Sequence, residues 1–543
     1  MQGRLRKTAR LAVVAAGAGL AWTSAWSGVE VLTNRYNATR QGLNDHETRL
    51  TPSNVKASGF GKLFEHAVDG PLFAQPLVVT GLSIPGRGLH DVVFVATEAN
   101  TVYAFDANSA SGANAQPLWQ VSLVDAAHGA AAGAVAMPSS ALGVDATGAP
   151  VCAATGSSVG VTGTPVIDRA ARTMWVVAKS QEAGAVVHRL HALDITTGAE
   201  RPGSPVAIPG ASPMTESFDP LWHFNRPALL LNQGVVVVAF GAHCDGLEVH
   251  PYRGWVFSFD AGTLKPRAVL PITRGGGSAG SVWMSGVGPA ADASGQVYVV
   301  SGDGSYDGVR DFSDSVLKLH PQTLAVLDSH TPADNAAIDA ADEDLGSGGA
   351  VLLPDQPGAT PRLAVLGTKD GRVLLLNRDR LGPAVQALPK GTLGHGVGGG
   401  VVDWLGQFGA PAWWNQRLYF WGVQDVLKVY TLGNGLLGAT PQRGDTTYGY
   451  PGATVTVSSN GSNQAVVWSI QPGGSQPGLL QAWDALSLKL LYSSDQNADD
   501  AMGYAVRFTS PVVANGRVYV GASDRLAVYG RRFKALGKWW PMY

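Results

Sequence analysis

Short apolar runs, separated by polar or glycine turns, recur in pairs along the chain. An early pair is VVFVATEANTVYAFD at 92–106, and the last is VYVGASDRLAVYG at 518–530. An apolar strand, a turn and a second apolar strand are typical of a β-hairpin. Eight such hairpins are predicted, and they end, 46 to 88 residues apart, at Asp106, Asp194, Asp260, His320, Asn377, Thr431, Asp484 and Gly530.

Further short strands flank these hairpins. Most hairpins are preceded by a short strand with Pro or Gly at its head, such as AQPLVV at 74–79. Many hairpins are followed by a fourth apolar strand. Four antiparallel strands repeated at this period predict an all-β fold, an eight-bladed β-propeller. The last unit lacks its fourth strand, and residues 61–68 have the missing pattern, so we expect them to close the ring. The alternative is seven blades with one unit outside the ring.

Composition supports a strand-rich fold and excludes several other classes. Gly is 69 of 543 residues and charged residues are 15%, against usual shares of about 7% and about 25%. The hydrophobic content of 45% excludes intrinsic disorder, and the low charge excludes a coiled coil. After residue 25 the chain is mildly acidic. This argues against nucleic acid as a partner and against binding to an anionic membrane surface.

The N-terminus is typical of an export signal. Four basic residues among the first ten precede an apolar run at 11–22, and small residues follow up to Ala25. The run is shorter than the roughly 20 residues that cross a bilayer. We therefore expect no membrane span and a periplasmic or extracellular location. The predicted organisation is a signal peptide at 1–25, an N-terminal extension at 26–60, the propeller at 61–530 and a C-terminal tail at 531–543.

The chain has two cysteines, Cys152 and Cys244. In an oxidising compartment two thiols pair more often than they stay free, so a disulfide is predicted, with two buried thiols as the alternative. The sequence has no CxxCH motif, and covalently bound haem is therefore not expected.

The repeats resemble those of quinoprotein β-propellers. The family pattern is alanine-x-aspartate, a turn with glycine, and then tryptophan; matching segments are VYAFDANS with PLWQ at 102–120, HALDITTG at 191–198 and, more weakly, QAWD at 481–484. The segments LTP and FGKLF, ahead of the first repeat, are similar to those of exported PQQ-repeat proteins. The resemblance covers roughly residues 60 to 530 and implies an eight-bladed ring.

Quinoprotein alcohol dehydrogenases hold pyrroloquinoline quinone (PQQ) and a calcium ion over the channel, and four segments resemble that site. GSVW places Trp283 where the quinone stacks, and SGDG places Asp303 where the family has a calcium-binding asparagine. TPAD places Asp334 where the family has its catalytic base. Glu248, close to YRGW at 252–255, is the nearest candidate for a glutamate calcium ligand, one residue out of register. The resemblance implies PQQ and calcium as cofactors.

Other interpretations of these residues stay open. The family has two adjacent cysteines over the quinone, and this chain has no adjacent pair. Trp283 equally suits packing between blades, Asp303 a tight turn, and Asp334 a solvated acidic loop. The set His243, Asp245, Glu248 and His250 suits a transition-metal site, but such a set is more often a solvated loop.

Two functions are compatible with these residues. The first is a PQQ- and calcium-dependent dehydrogenase that oxidises an alcohol or a sugar, with Asp334 as the base. The second is a non-catalytic propeller that binds or assembles proteins, because one fold can serve unrelated functions. In either case we expect the site at one mouth of the central channel, where loops of neighbouring blades converge.

Overall fold

A computed structural model describes residues 28–152, 156–209, 218–244, 252–394, 406–473, 476–535 and 538–541. Within these ranges the chain forms eight sheets, and each hairpin predicted from the sequence lies in a different sheet. The prediction of an eight-bladed β-propeller is confirmed, and the alternative of seven blades is wrong.

Three blades have four strands each, ordered from the channel outwards. They are blade 1, with Leu77–Ile84, Gly88–Ala96, Thr101–Asp106 and Trp119–Ser122; blade 4, with Ala290–Ala291, Val297–Val300, Val316–Leu319 and Val326–His330; and blade 5, with Val351–Leu352, Leu363–Gly367, Val373–Asn377 and Gln386–Leu388.

The other five blades add one or two strands to the four. They are blade 2, with Val166–Asp168, Thr173–Glu182, Ala185–Asp194 and Val206–Ile208, plus Val135–Pro138 and Ser158–Val159; blade 3, with Leu230–Asn232, Val235–Ala242, Trp255–Asp260 and Pro266–Pro271, plus His223–Phe224; blade 6, with Ala412–Trp414, Arg417–Phe420, Asp425–Gly433 and Gln442–Tyr448, plus Leu436–Leu437; blade 7, with Thr456–Asn460, Asn463–Gln471, Leu479–Asp484 and Leu490–Ser493, plus Leu43–Asn44; and blade 8, with Val512–Ala514, Arg517–Gly521, Arg525–Ala535 and Phe60–Ala67, plus Lys538–Pro541.

Helices are few and short in the described ranges. The α-helix Asn335–Ala340 follows blade 4, and the 3-10 helices are Gly112–Ala115, Ala126–His128, Ser139–Leu142, Met284–Gly286, Leu345–Ser347, Ser494–Gln496 and Ala498–Asp500. Among these described helices, none has the length and apolar character needed to cross a membrane.

The ring closes through the segment that the sequence predicted. The strand Phe60–Ala67 pairs antiparallel with Arg525–Ala535, with Gly61 opposite Gly530. Phe60 is fully buried there against the rings of Trp468 and Tyr492. The closing strand thus supplies the outermost strand of blade 8 from the N-terminal side of the chain, and the predicted closure is confirmed.

The repeat motif has a direct structural reason. The Asp194 carboxylate accepts hydrogen bonds from the backbone and hydroxyl of Thr196, which fixes the turn after the third strand of blade 2. Gly198 completes this turn at φ +77° and lies against the ring of Trp119 from blade 1, so a Cβ at Gly198 would collide with it. The Trp119 indole N–H donates to the Ile195 carbonyl at 3.0 Å. Aspartate, glycine and tryptophan therefore form one contact that joins neighbouring blades.

Residues 31–44, which we call the plug, run through the channel and bond to the innermost strand of every blade. Six blades, 1, 2, 4, 5, 6 and 7, form main-chain hydrogen bonds with the plug. In that order the pairs are Val31 with Val78, Leu32 with Ile167, Ala38 with Ala291, Thr39 with Leu352, Gln41 with Trp413, and Gly42 with Val457. Side chains make the remaining two contacts, from Arg40 to Leu229 and from Tyr36 to Val513. The plug therefore fills the channel along the inner strands.

Two arginines of the plug are buried in the channel without an acidic partner. Arg35 donates to the carbonyls of Arg40, Val455 and Pro411, and Arg40 donates to those of Pro289 and Leu229. No described carboxylate lies within ion-pair distance of either side chain. Burial lowers the pKa of each guanidinium to about 9, so both stay charged at neutral pH and bind main-chain carbonyls of several blades.

Candidate functional site

The site lies at the channel mouth, above the plug. Loops that join blades, and turns between second and third strands, share one face of a propeller. The Gly302 N–H donates to the Ser281 carbonyl at 2.8 Å, and Gly280 N–H donates to the Asp303 carbonyl. These bonds hold the segment of Trp283 beside that of Asp303, in agreement with the single mouth expected from the sequence.

Five aspartates gather there into what we call the carboxylate cluster. Its members are Asp303, Asp314, Asp339, Asp342 and Asp344. Carboxylate oxygens of Asp303, Asp342 and Asp344 lie within 4.8 Å of one another, and the same holds for Asp303, Asp314 and Asp339. The Lys369 ammonium pairs with Asp344 at 2.8 Å and also with Asp342. Oxygen donors at this spacing suit a hard cation such as calcium.

Glycines make this close approach possible. The backbone N–H of Asp303 donates to the Asp344 carboxylate at 3.0 Å. A Cβ on Gly302 would lie 2.4 Å from the same carboxylate oxygen. Gly304, at φ +137°, has a backbone that side-chain-bearing residues rarely adopt. Glycine is therefore required at position 304 by the backbone conformation of the turn, and at position 302 by the contact with the loop of Asp344.

If all five members were ionised, the cluster would carry more negative charge than Lys369 balances. Burial, together with the charges of Asp344 and Asp314, raises the pKa of Asp303 to about 10. Burial also raises the pKa of Asp314 to about 7. Asp303 Oδ1 and Asp314 Oδ2 are buried and accept from no N–H group among the described residues; a hydrogen bond between the two side chains requires the proton that Asp303 carries. A bound cation would supply the missing partner and favour the ionised carboxylates.

Trp283 is half-buried at the same mouth. Its ring meets Phe508 edge-on at 5.0 Å and packs against a hydrophobic group that includes Met137, Cys152 and Phe224. The next residues, Met284 and Ser285, have φ values of +52° and +46°. Other turns of this chain also have positive φ at non-glycine residues, as at Asn415 and Gln416, so this backbone does not by itself mark a functional site.

The disulfide supports this wall of the mouth. Cys152 and Cys244 are bonded, with Cα atoms 5.6 Å apart, which confirms the predicted pair. Cys152 belongs to the insertion at 124–160, and Cys244 follows the second strand of blade 3. The bond therefore ties the insertion to blade 3 beside Trp283. It is not the adjacent pair of the quinoprotein family.

An aromatic group that the sequence did not reveal lines the rest of the mouth. Phe508 contacts Trp283, Phe408 and Tyr450 with ring centroids 5.0 to 6.2 Å apart. The Arg226 guanidinium lies 5.7 Å from the Phe508 ring centroid. Arg226 and Phe508 lie just before inner strands that are headed by proline. This position is the signal in the sequence that could have identified them as residues of the mouth.

Asp334 lies on the same face but outside the two oxygen triads. Both of its carboxylate oxygens accept from Arg372, at 2.8 and 2.6 Å, and this bond holds its pKa below the usual range. Arg372 belongs to the blade 5 turn that also carries Lys369, so Asp334 is a neighbour of the carboxylate cluster. Its side chain is 50% exposed. Its role as base stays a prediction.

The other predicted metal residues have different outcomes. Glu248, like Asp245 and His250, lies outside the described residues. His243 is buried, and its Nε2 lies 2.9 Å from the Lys179 ammonium, which also donates to the carbonyls of Leu221 and His223. The Nε2 atom of His243 is therefore occupied by Lys179, whereas its Nδ1 atom is buried and has no partner among the described residues. The described geometry thus gives His243 a structural partner.

Comparison with known proteins places this geometry in context. No protein-family model and no curated protein matches the sequence. The quinohemoprotein alcohol dehydrogenase of Comamonas testosteroni superposes with a TM-score of 0.60 at 16% identity, over 95% of this chain and 82% of that chain. The quinohemoprotein alcohol dehydrogenase ADHIIG of Pseudomonas putida HK5 gives 0.61 at 15% identity, over 95% and 82%.

A europium-containing methanol dehydrogenase gives a TM-score of 0.57 at 14% identity, over 92% of this chain and 98% of that chain. The chain has the fold of the quinoprotein dehydrogenases. The predicted resemblance is therefore confirmed at the level of the fold. At these identities the likeness carries no information about activity, which has to be argued from the site.

The residues at the mouth fit both groups that the quinoprotein fold implies. Buried carboxylate oxygens that no N–H group bonds fit a hard cation, and these oxygens belong to Asp303 and Asp314. Trp283 offers an aromatic surface, and Arg226 and Lys369 offer positive charge for a planar anionic molecule such as PQQ.

Proposed function

We propose that the chain is an exported quinone-dependent dehydrogenase that oxidises an alcohol or a sugar, with PQQ and calcium as cofactors. The observation that carries this proposal is the cluster of partnerless carboxylate oxygens beside a half-buried tryptophan, at one mouth of a quinoprotein fold. Buried carboxylates whose pKa values are raised by burial and by their neighbours are more typical of a functional site than of a scaffold.

Each residue has a defined role in this proposal. Asp303 and Asp314 would hold calcium through their carboxylate oxygens, Trp283 would offer the surface on which the quinone stacks, and Lys369 would balance negative charge beside it. PQQ would supply a two-electron acceptor for the oxidation of the substrate carbon, and calcium would supply a Lewis acid beside it.

The proton acceptor for the substrate hydroxyl is one of two carboxylates. Asp334 is the base predicted from the sequence. Asp342 is the alternative that the geometry favours, because it is 55% exposed and lies within 4.8 Å of Asp303 and Asp344. A base must reach the hydroxyl that is oxidised, and the exposed carboxylate of Asp342 is accessible to a substrate.

The decisive experiment adds PQQ and calcium to purified ion-free protein. We expect the absorbance of a bound quinone and reduction of an artificial dye in the presence of alcohols or aldoses. If the protein binds neither PQQ nor calcium, the scaffold alternative replaces the dehydrogenase.

Matched variants then identify the base. Asp342→Asn should lower dye reduction by about 100-fold or more, with PQQ binding nearly unchanged. Asp334→Asn should lower dye reduction to a similar extent only if Asp334 is the base. Asp355→Asn is the control, since Asp355 is 70% exposed and lies with Thr39 and Gln41 of the plug, away from the mouth. Equal activity of the Asp342 and Asp355 variants would exclude Asp342.

Export is the second part of the proposal. The disulfide, the quinoprotein fold and the signal-like residues 1–25 support it. N-terminal sequencing of protein purified from the native cell should find a chain that begins near residue 26. Recovery of the uncleaved chain from the cytoplasm would contradict export.

A further inference from the structure

A cleft lies in the outer wall of the ring, at the junction where blade 8 meets blade 1. Its volume is about 390 Å³, within the range of roughly 300–1,000 Å³ that small-molecule sites occupy. One side is the closing strand Phe60–Ala67 with the two residues that follow it. The other side is formed by the third and fourth strands of blade 1 and by residues 115–117 between them. The cleft is therefore separate from the mouth.

Stacked rings form one wall of this cleft. The ring centroids of His66 and Phe105 lie 4.1 Å apart with planes at 13°, and those of Phe105 and Tyr103 lie 5.3 Å apart with planes at 8°. Tyr103 and Phe105 are two positions apart on one strand and therefore point to the same side of it. His66 comes from the closing strand of blade 8. The stack thus makes a continuous, rigid wall across the junction of the two blades.

One nitrogen of this wall has no partner. His66 is 3% exposed, and its Nε2 atom forms no hydrogen bond with any described residue. Burial lowers the pKa of the imidazole, so the ring is neutral at neutral pH. Buried polar atoms are seldom left without a partner unless water or a ligand bonds to them. His66 therefore indicates a ligand that has hydrogen-bonding groups of its own.

The carboxylates of the cleft are held in place by their neighbours. Glu65 accepts from Lys62 and from Arg525, both at 2.8 Å, so its charge is balanced. Asp69 accepts from the Thr97 hydroxyl at 2.8 Å. No lysine or arginine is among the described residues that line the cleft. An anionic ligand would therefore meet no positive charge there, whereas hydroxyl groups would find acceptors.

Neutral polar groups complete the lining. Gln116 and Gln120 line the cleft and are exposed. An amide both donates and accepts hydrogen bonds, as an alcohol does. Burial and the charge of Asp69 raise the pKa of Tyr103 to about 12, so its hydroxyl keeps its proton and can donate. These groups match an uncharged ligand that carries several hydroxyl groups.

We propose that the cleft between blades 8 and 1 binds a neutral saccharide. The carbon-bound hydrogens of a sugar ring present an apolar face to the aromatic wall, while its hydroxyl groups bond to the surrounding amides and carboxylates. The site lies on the outer wall, so the inference does not depend on the proposed dehydrogenase activity. The sugar can be free or part of a chain, and probes of different length separate these sources.

The test applies purified full-length protein to an array of neutral glycans of glucose, galactose, mannose, xylose and N-acetylglucosamine, from monosaccharides to hexasaccharides. Calorimetry then measures the affinity of each glycan that binds. Affinity that rises with length identifies a chain, and equal affinity for the monosaccharide identifies a free sugar. Replacing both Gln116 and Gln120 by Ala should weaken binding about tenfold, because two hydrogen bonds are lost. Both side chains are exposed, so the variant should fold.

Gln442→Ala is the matched control. Gln442 is exposed on the fourth strand of blade 6, as Gln120 is on the fourth strand of blade 1, and its removal should change the affinity by less than about twofold. If no glycan binds, or if the double variant binds as tightly as the wild type, the inference is overturned. Binding of spermidine, but of no glycan, would show a cation site and would overturn it too. The dehydrogenase proposal survives each of these results, because its residues lie at the mouth.

Discussion

Replacing Asp303 by Asn should abolish stabilisation by calcium and leave the ion-free protein almost unchanged. The pKa of Asp303 is raised to about 10 by burial and by the nearby carboxylates of Asp344 and Asp314. At neutral pH the group therefore carries a proton and no charge in the ion-free protein. Asparagine has the same shape and is also neutral, so the free energy of unfolding should change by less than about 1 kcal/mol.

Calcium changes this comparison because it binds the ionised carboxylate. An ion present at about 100 times its dissociation constant stabilises the folded state by about 2.7 kcal/mol. Unfolding entropy is about 2.1 cal/mol/K per residue, which for 543 residues gives about 1.1 kcal/mol/K. The ion should therefore raise the unfolding temperature of the wild type by roughly 2–3 °C, and that of Asp303→Asn by much less.

Thermal unfolding followed by circular dichroism, with excess calcium or with a chelator, measures both effects. Because calcium displaces the proton on Asp303, its affinity for the wild type should rise with pH, by up to about tenfold per pH unit. The affinity of Asp303→Asn should depend less on pH. Asp355→Asn, away from the mouth, should behave like the wild type.

Two results would refute this reasoning. If calcium raises the unfolding temperature of Asp303→Asn as much as that of the wild type, the ion binds elsewhere. If the ion-free variant is several kcal/mol less stable than the wild type, Asp303 is a structural residue of its turn.

Three further predictions concern the plug, a buried acid and the disulfide. Arg35→Met should lower the free energy of unfolding by about 3 kcal/mol or more, since carbonyls of several blades lose their donor; a loss below about 1 kcal/mol in urea unfolding would show that the plug does not hold the ring. Burial raises the pKa of Glu98 to about 7. Between about pH 4 and that value the folded state binds more protons than the unfolded state, so stability falls as pH rises, by on the order of 3 kcal/mol. Glu98→Gln should remove this slope, and an unchanged slope would contradict the assignment. The bond between Cys152 and Cys244, 92 residues apart, should contribute about 4 kcal/mol; replacing both by Ser tests this, and two free thiols in the unreduced protein would exclude the bond.

The architecture was predictable because its signals are local. A hairpin needs an apolar strand, a turn and a second strand within about 15 residues, and VVFVATEANTVYAFD contains all three. The contact between Asp194, Gly198 and Trp119 shows why the repeat motif recurs, because each residue serves the turn or the joint between blades. The closing strand Phe60–Ala67 was predicted by the same pattern.

The site was only partly predictable. Trp283 and Asp303 were proposed as site residues through segments that resemble known ones, and their roles stay predictions. Asp344 and Lys369 were not proposed, because a carboxylate in an acidic loop and a lysine in a turn have no local signal. They become neighbours of Asp303 only when blades 4 and 5 pack side by side, across 41 and 66 positions of sequence.

The sequence by itself determined the repeat, the number of blades, the closing segment and the pairing of the only two cysteines. Each of these depends on short-range patterning or on a count. The tertiary structure alone decided that residues 31–44 fill the channel, that five aspartates share one mouth, and that the guanidinium of Arg226 is buried there. The physical reason is that a propeller brings eight distant loops to one axis. Burial and charge at that axis are therefore sums over residues that are far apart in the chain.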